Sequence, residues 1–273
     1  MNLTRKLLLV LAVSIAALLG LAPEAFAGEL VVAAASDLSG PIREIITDFE
    51  KQTGHTVKLT LGSSGNFHAQ ITNGAPFDVF LSADLGYVRN LESAALTEPN
   101  SVYIYAIGRI VLWVPRNSPV NIEGLGMKTL LQPQVRRIAI ANPDHAPYGR
   151  AAVSAMEAAG VYSAVKDKLV LGENISQTAQ FVQSGAADVG IIALSLALSD
   201  TMKAQGKYVE VLLNTYPRME QGAVILKQAQ RAGHFAAAQQ FLDALRGASG
   251  RAVLQRYGFS LPATTPAGVG NQK

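Results

Sequence analysis

A short apolar run, a loop of small polar residues and an amphipathic helix recur as a unit along the chain, in two blocks. Nothing else in the sequence restricts the fold as much. Leu30 to Ala35 is the first run, apolar throughout, as suits a strand buried on both faces of a sheet. Ser36-Asp37-Leu38-Ser39-Gly40 follows. Ile42, Ile45, Ile46 and Phe49 then share one face of a helix that starts near Pro41 and stops at Gly54. The unit returns as Val57 to Leu61, Gly62-Ser63-Ser64-Gly65 and a short helix with Phe67 and Ile71 that ends at Asn73-Gly74. A third copy is Asp78 to Ser82 with a helix carrying Tyr87, Val88 and Leu91.

The second block begins with Arg137 to Ala141, the loop Asn142 to Gly149 and a helix carrying Ala152, Val153, Met156 and Ala159. Leu169 to Leu171, Gly172-Glu173-Asn174 and a helix with Ala179, Phe181 and Val182 come next. Val189 to Ala193, an apolar helix and a strand from Tyr208 to Leu213 complete it. Between the blocks, Val102 to Ile107 and Ile110 to Val114 meet at Gly108, and a strand from Glu220 to Lys227 returns after Tyr216-Pro217. Helices from about His234 to Arg246 and Ser249 to Tyr257 end the pattern, before a Pro-, Gly- and Thr-rich tail expected to fray.

Alternating strands and helices imply parallel sheets covered on both faces. The expected fold is therefore α/β, with two lobes, each a mainly parallel sheet flanked by helices, and a ligand cleft between them. Residues 28–107 with 222–273 would form one lobe and residues 108–221 the other.

The first 27 residues are expected to leave the chain. Arg5 and Lys6 precede an apolar run from Leu7 to Leu21, and Ala25-Phe26-Ala27 is a small-x-small cleavage site, the pattern of a secretory signal peptide. The run is short for a membrane span, which needs about 20 residues. Cleavage after Ala27 takes the net charge from +3 to +2, too little and too dispersed for a nucleic-acid footprint. The sequence has no cysteine, which excludes disulfides, thiolate metal sites and a cysteine nucleophile.

In open α/β sheets ligands bind outside the carboxyl ends of the strands, so the strand-to-helix loops are the places to search. Four share one character: Ala35-Ser36-Asp37, Gly62-Ser63-Ser64-Gly65-Asn66, Pro147-Tyr148-Gly149 and Glu173-Asn174-Ile175-Ser176. Each precedes a helix and offers unpaired N–H groups at a positive helix end. Any one alone reads as an ordinary N-cap. Four together make an anion site that needs no cationic side chain, and the glycines beside Ser63 and Ser64 allow close backbone approach.

Other candidates carry less. Asp144 and His145 read as a surface turn, since no further ligand stands at metal spacing. His55, His68 and His234 lie in separate elements, with His68 on a helix surface, and Trp113 reads as core. A nucleophile elbow, a Walker loop and a dinucleotide fingerprint are all missing.

The order Ala33-Ala34-Ala35-Ser36, Gly62-Ser63-Ser64-Gly65, then Gly74-Ala75-Pro76-Phe77-Asp78-Val79-Phe80-Leu81-Ser82-Ala83-Asp84 resembles periplasmic molybdate-binding proteins of ABC importers. Asn142-Pro143-Asp144-His145-Ala146-Pro147-Tyr148-Gly149 and the ending Arg256-Tyr257-Gly258-Phe259 fit the same family. The resemblance runs in order through the whole mature chain. It implies a two-lobed periplasmic binding protein that captures molybdate or tungstate and delivers it to a membrane permease, catalysing nothing. By position it implies ligand hydroxyls from Ser36 and Ser64 and backbone N–H groups from Tyr148, Ile175 and Asp37, whose carboxylate would turn away as a helix cap. The only metal would be the molybdenum inside the oxyanion, held through its oxygens by those residues. No cofactor and no nucleic-acid partner are expected, and the protein would be a periplasmic monomer. Some members carry a tyrosine hydroxyl where Ala193 stands. Two alternatives follow from the residues: the same fold binding sulfate or phosphate, and an exported serine hydrolase using Ser64 with His68 or His145.

Overall fold

The computed structural model describes residues 28–262. The expected signal segment and the end of the tail lie outside that range.

Ten strands form two five-stranded sheets. The first contains β1 (Glu29–Ala35), β2 (Thr56–Gly62), β3 (Val79–Ser82), β4 (Tyr103–Gly108) and β10 (Met219–Ile225), in the order β2-β1-β3-β10-β4. The second contains β5 (Ile110–Pro115), β6 (Ile138–Ala141), β7 (Leu169–Gly172), β8 (Val189–Ala193) and β9 (Gly206–Glu210), in the order β7-β6-β8-β5-β9. In each, three strands run parallel, and the fourth in the order is antiparallel to both its neighbours. Those antiparallel strands, β5 and β10, are the ones that arrive from the opposite sheet. Gly108-Arg109 carries the chain across once, and the segment before Met219 carries it back.

The helices are α1 (Pro41–Thr53), α2 (Ser64–Thr72), α3 (Leu85–Ser93), α4 (Pro147–Ala158), α5 (Tyr162–Val165), α6 (Ile175–Gln183), α7 (Leu194–Ala197), α8 (Asp200–Gln205), α9 (Lys227–Arg231), α10 (Phe235–Arg246) and α11 (Ala248–Arg256). In α1 the residues at helical spacing, Ile42, Ile45, Ile46 and Phe49, are all buried. Gly54 ends it at φ 74°, a left-handed conformation that costs glycine nothing. Central β1 is buried along most of its length, whereas edge strand β2 alternates between exposed and half-buried positions. Apolar clusters cover both faces of the first sheet, and one large cluster built around Trp113 fills the second unit.

Two expectations change. Ser36–Leu38 forms a 3-10 turn of its own before α1, so the first loop is not the direct N-terminus of the long helix. The strand expected from Tyr208 to Leu213 starts at Gly206 and ends at Glu210. Leu213 opens a 3-10 turn, and Leu212 and Leu213 face solvent. Apolar character alone does not hold a residue in a strand once the sheet edge has ended.

Candidate oxyanion site

The carboxyl ends of β1, β2 and β3 face those of β6 and β7, and their loops meet around a small cavity. Its lining is Ala35, Ser36, Asp37, Gly62, Ser63, Ser64, Ala83, Ala146, Pro147, Tyr148 and Ile175. Thus the four loops singled out in the sequence come together, and all five expected ligand residues stand on this wall. At about 10 Å³ the cavity is far smaller than the roughly 300–1,000 Å³ clefts that hold drug-sized ligands. No lysine or arginine lines it.

Each donor has a local cause. Ser63 is the N-cap of α2, which leaves Ser64 in its first turn. The Ser64 Oγ accepts the Ala83 N–H at 2.9 Å, so its proton remains available to an anion. Pro147 occupies the first turn of α4, where its missing N–H costs nothing, and Tyr148 follows. Gly149 is required here because a Cβ would overlap the Ala141 carbonyl where α4 packs on the end of β6. Asn174 caps α6 by accepting from Gln177 N at 3.0 Å, leaving Ile175 as the first helical residue. Among the described residues, no protein acceptor engages the N–H of Tyr148 or Ile175. Three helix starts, a 3-10 turn and two serines thus surround a space without a cation, an arrangement suited to an anion.

Ser36 bridges the two sides. Its hydroxyl donates to Asn174 Oδ1 at 3.2 Å and accepts from Ser176 N at 3.3 Å, while Ser176 Oγ donates to the Ser36 carbonyl at 2.9 Å. Both contacts of the Ser36 hydroxyl are long, so it can turn toward a guest at small cost.

Asp37 departs from expectation. Its carboxylate caps no helix. Fully buried, it accepts on Oδ2 from the Tyr148 hydroxyl at 2.9 Å and from Gln221 Nε2 at 2.7 Å, and Oδ1 has no partner of ordinary geometry. Burial pushes its pKa up to about 6, against the opposing pull of Gln221, Tyr148 and the N–H groups of Asp37 and Leu38. The Asp37 carboxylate therefore competes with any anion in the cavity for the Asp37 N–H.

His145 also departs. Asp144 does lie in an exposed Asx turn, but His145 belongs to the contact between the two sides. Ser63 Oγ lies 2.6 Å from the His145 carbonyl and 2.9 Å from its Nδ1, and Gly65 N donates to the same carbonyl at 2.9 Å. His145 Nε2 stands 3.8 Å from Glu173. His68 packs against Tyr87, with ring centroids 5.2 Å apart. His55 accepts from Gly28 N, and His234 pairs with Asp78. Ala193 is fully buried at the start of α7 and does not line the cavity.

A larger cavity of about 240 Å³ shares Ala83 and Pro147 with the small one. Its cations are already paired, Arg150 with Asp84 at 2.7 Å and Arg218 with Glu220 at 3.2 Å. Its charges are therefore neutralised within the protein, unlike the free donors next door. Among the described residues, no cluster of three or more His, Asp or Glu side chains is arranged to hold a bare cation.

The sequence reading missed Gln221, Tyr105, Ala83 and Ser195. Tyr105 donates to Gln221 Oε1 at 2.7 Å, and Ser195 Oγ donates to the Asp37 carbonyl at 2.7 Å. The one available signal was Gln221 itself, a polar residue inside an apolar strand.

Two sheets of matching order, crossed twice and closed over a small donor-lined cavity, define a two-lobed solute-binding protein. A family model described as bacterial extracellular solute-binding protein matches residues 30–260, and the chain belongs to that family. It is 38% identical over 248 residues to the molybdate-binding protein ModA of Rhodobacter capsulatus, covering 91% of this chain and 94% of that one. With the ModA of Azotobacter vinelandii the identity is 39% over 241 residues, 88% of this chain and 93% of that one. The solved structure of the Azotobacter vinelandii periplasmic molybdate-binding protein superposes with a TM-score of 0.78 at 35% identity, covering 85% of this chain and 99% of that one. The sulfate-binding protein SubI of Mycobacterium tuberculosis shares the fold, with a TM-score of 0.70 at 17% identity and 88% of each chain covered.

Proposed function

We propose that this protein captures molybdate, and tungstate with it, and hands it to the membrane permease of an ABC importer. The observation that carries the reading is the donor set: the Ser64 and Ser36 hydroxyls and the Tyr148 and Ile175 N–H groups converge without a cationic side chain. Such a site favours an anion that carries no proton and offers only acceptors. Molybdate and tungstate fit that description at neutral pH, and the molybdate-binding names of relatives at 38–39% identity point to the same cargo. The ligand residues are Ser36, Ser64, Tyr148 and Ile175, with Asp37 as the fifth wall residue. They hydrogen-bond the oxygens, and none reaches the metal.

The remaining features follow from that role. The lobes are the two sheets with their helices, the first running through Gly108 and resuming at Met219, and closing them traps the anion. The protein works outside the cytoplasm, in the periplasm, as a monomer after loss of residues 1–27, and takes no cofactor. It is a carrier, not a hydrolase. Ser63, not Ser64, stands beside His145, and its hydroxyl donates to the His145 carbonyl at 2.6 Å rather than being held for an attack. That geometry ties two loops together and leaves no base poised to activate a nucleophile.

One observation favours a second reading. Asp37 lines the cavity and its buried Oδ1 has no partner of ordinary geometry, an acceptor that would suit an oxyanion still carrying a proton, such as monohydrogen phosphate. Titration calorimetry with molybdate, tungstate, sulfate and phosphate separates the two. The molybdate reading expects molybdate and tungstate to bind at least 100-fold tighter than sulfate, a gap of about 2.7 kcal/mol. Tightest binding of phosphate would replace it with the second reading.

A further inference from the structure

Beneath the cavity lies a buried polar knot at which both chain crossovers meet. Tyr148, from α4, donates its hydroxyl to Asp37 Oδ2 at 2.9 Å. Gln221 Nε2 donates to Asp37 Oδ2 at 2.7 Å and to the Tyr148 oxygen at 3.1 Å, and the Tyr105 hydroxyl donates to Gln221 Oε1 at 2.7 Å. Tyr148, Asp37, Gln221 and Tyr105 are all buried. Gln221 belongs to the returning crossover strand, where a register irregularity between Gln221 and Gly222 redirects the chain. Gly108 belongs to the outgoing crossover. A Cβ there would stand 2.6 Å from the Tyr148 hydroxyl and 2.8 Å from Gln221 Nε2, so the knot presses on that crossover too.

Burying four polar side chains, one of them an acid, is costly compared with apolar groups of the same shape. A packing role alone would be met by phenylalanine and leucine. The arrangement does one thing those cannot: it bonds a residue of the first lobe to a residue of the second, against the segments that join them. Tyr148 is also the residue whose N–H faces the cavity from the first turn of α4.

We infer that the Tyr148 side chain is a positioning element that couples anion capture to lobe closure: the movement that brings its N–H to the anion also seats its hydroxyl on Asp37. This rests on the oxyanion reading above and adds to it a residue whose side chain never touches the ligand. Tyr148→Phe keeps the ring and the N–H and removes only the hydroxyl. Gln221→Met strikes the same knot from the crossover strand. Three quantities would be measured on wild type and both variants: molybdate dissociation rate by stopped flow, the decrease in radius of gyration on adding molybdate by X-ray scattering, and Tm without ligand.

Tyr148→Phe is expected to release molybdate about tenfold faster or more and to lose much of the compaction. Gln221→Met is expected to change both in the same direction and reports on the knot should the first variant not fold. Wild-type rates and full compaction in the variants, with only Tm lowered, would overturn the inference and leave the knot as packing. If wild type binds none of the four oxyanions, the oxyanion reading falls and takes the inference with it. That failure is distinguishable because it appears before any variant is compared.

Discussion

Asp37→Asn separates the charge of the buried acid from its shape, and the structure sets both the sign and the size of the effect. Asp37 is fully buried, and its pKa rises from 3.8 to about 6, chiefly through desolvation. A carboxyl whose pKa is higher in the folded state holds its proton more tightly there. Its contribution to stability is therefore fully present below about pH 4 and is lost as the pH rises through about 6. The difference of about 2 units corresponds to about 3 kcal/mol, of which about 2 kcal/mol falls between pH 4.5 and pH 7. Asparagine is neutral throughout and can still accept from Tyr148 and Gln221. Urea unfolding of both proteins at half-unit pH steps cancels every other titrating group in the difference. The variant should gain about 2 kcal/mol on wild type between pH 4.5 and pH 7 and little above that. A difference that stays flat across the range, or slopes the other way, would refute the reasoning and mean that Asp37 is solvated or paired well enough to ionise normally.

Three further substitutions test the site. Ser64→Ala strips the Ala83 N–H of its acceptor as well as removing the anion donor, so stability should fall by about 1–3 kcal/mol and molybdate affinity by about 10- to 150-fold; unfolding curves with unchanged calorimetric affinity would reduce Ser64 to a structural role. Gly149→Ala forces a Cβ onto the Ala141 carbonyl and should cost about 3 kcal/mol in chemical denaturation while displacing the start of α4; an unperturbed unfolding midpoint would contradict the close packing. Ala193→Tyr places a large ring at a fully buried position off the cavity wall, so it should lower stability by about 1–3 kcal/mol without raising molybdate affinity; a tighter complex by calorimetry would show that the ring reaches the anion.

Much of the architecture was legible in the sequence because it rests on local periodicity. Ile42, Ile45, Ile46 and Phe49 marked the buried face of α1, and the uniform apolarity of Leu30 to Ala35 marked a central strand. The four polar loops could be read as helix starts because Ser63 and Asn174 are capping residues and Pro147 suits a first helical turn. Strand-to-helix loops of a parallel sheet also share one edge, so their convergence followed from topology. Errors arose where apolar character had no periodicity to support it, as at Leu212 and Leu213.

What only the tertiary structure decided is which polar groups face one another across the lobes. Asp37 looked like a helix cap because its neighbours in sequence are a loop and a helix start. Its true partners, Tyr148 and Gln221, lie 111 and 184 residues away. Likewise His145 looked like part of a surface turn until Ser63, 82 residues distant, closed on it. Hydrogen bonds between lobes leave no trace in spacing or composition, since each partner sits in a locally ordinary setting. Capping and amphipathic burial act within a few residues and are written in the chain. The charge state of Asp37 and the contacts that close the cleft depend on burial, and burial belongs to the assembled lobes.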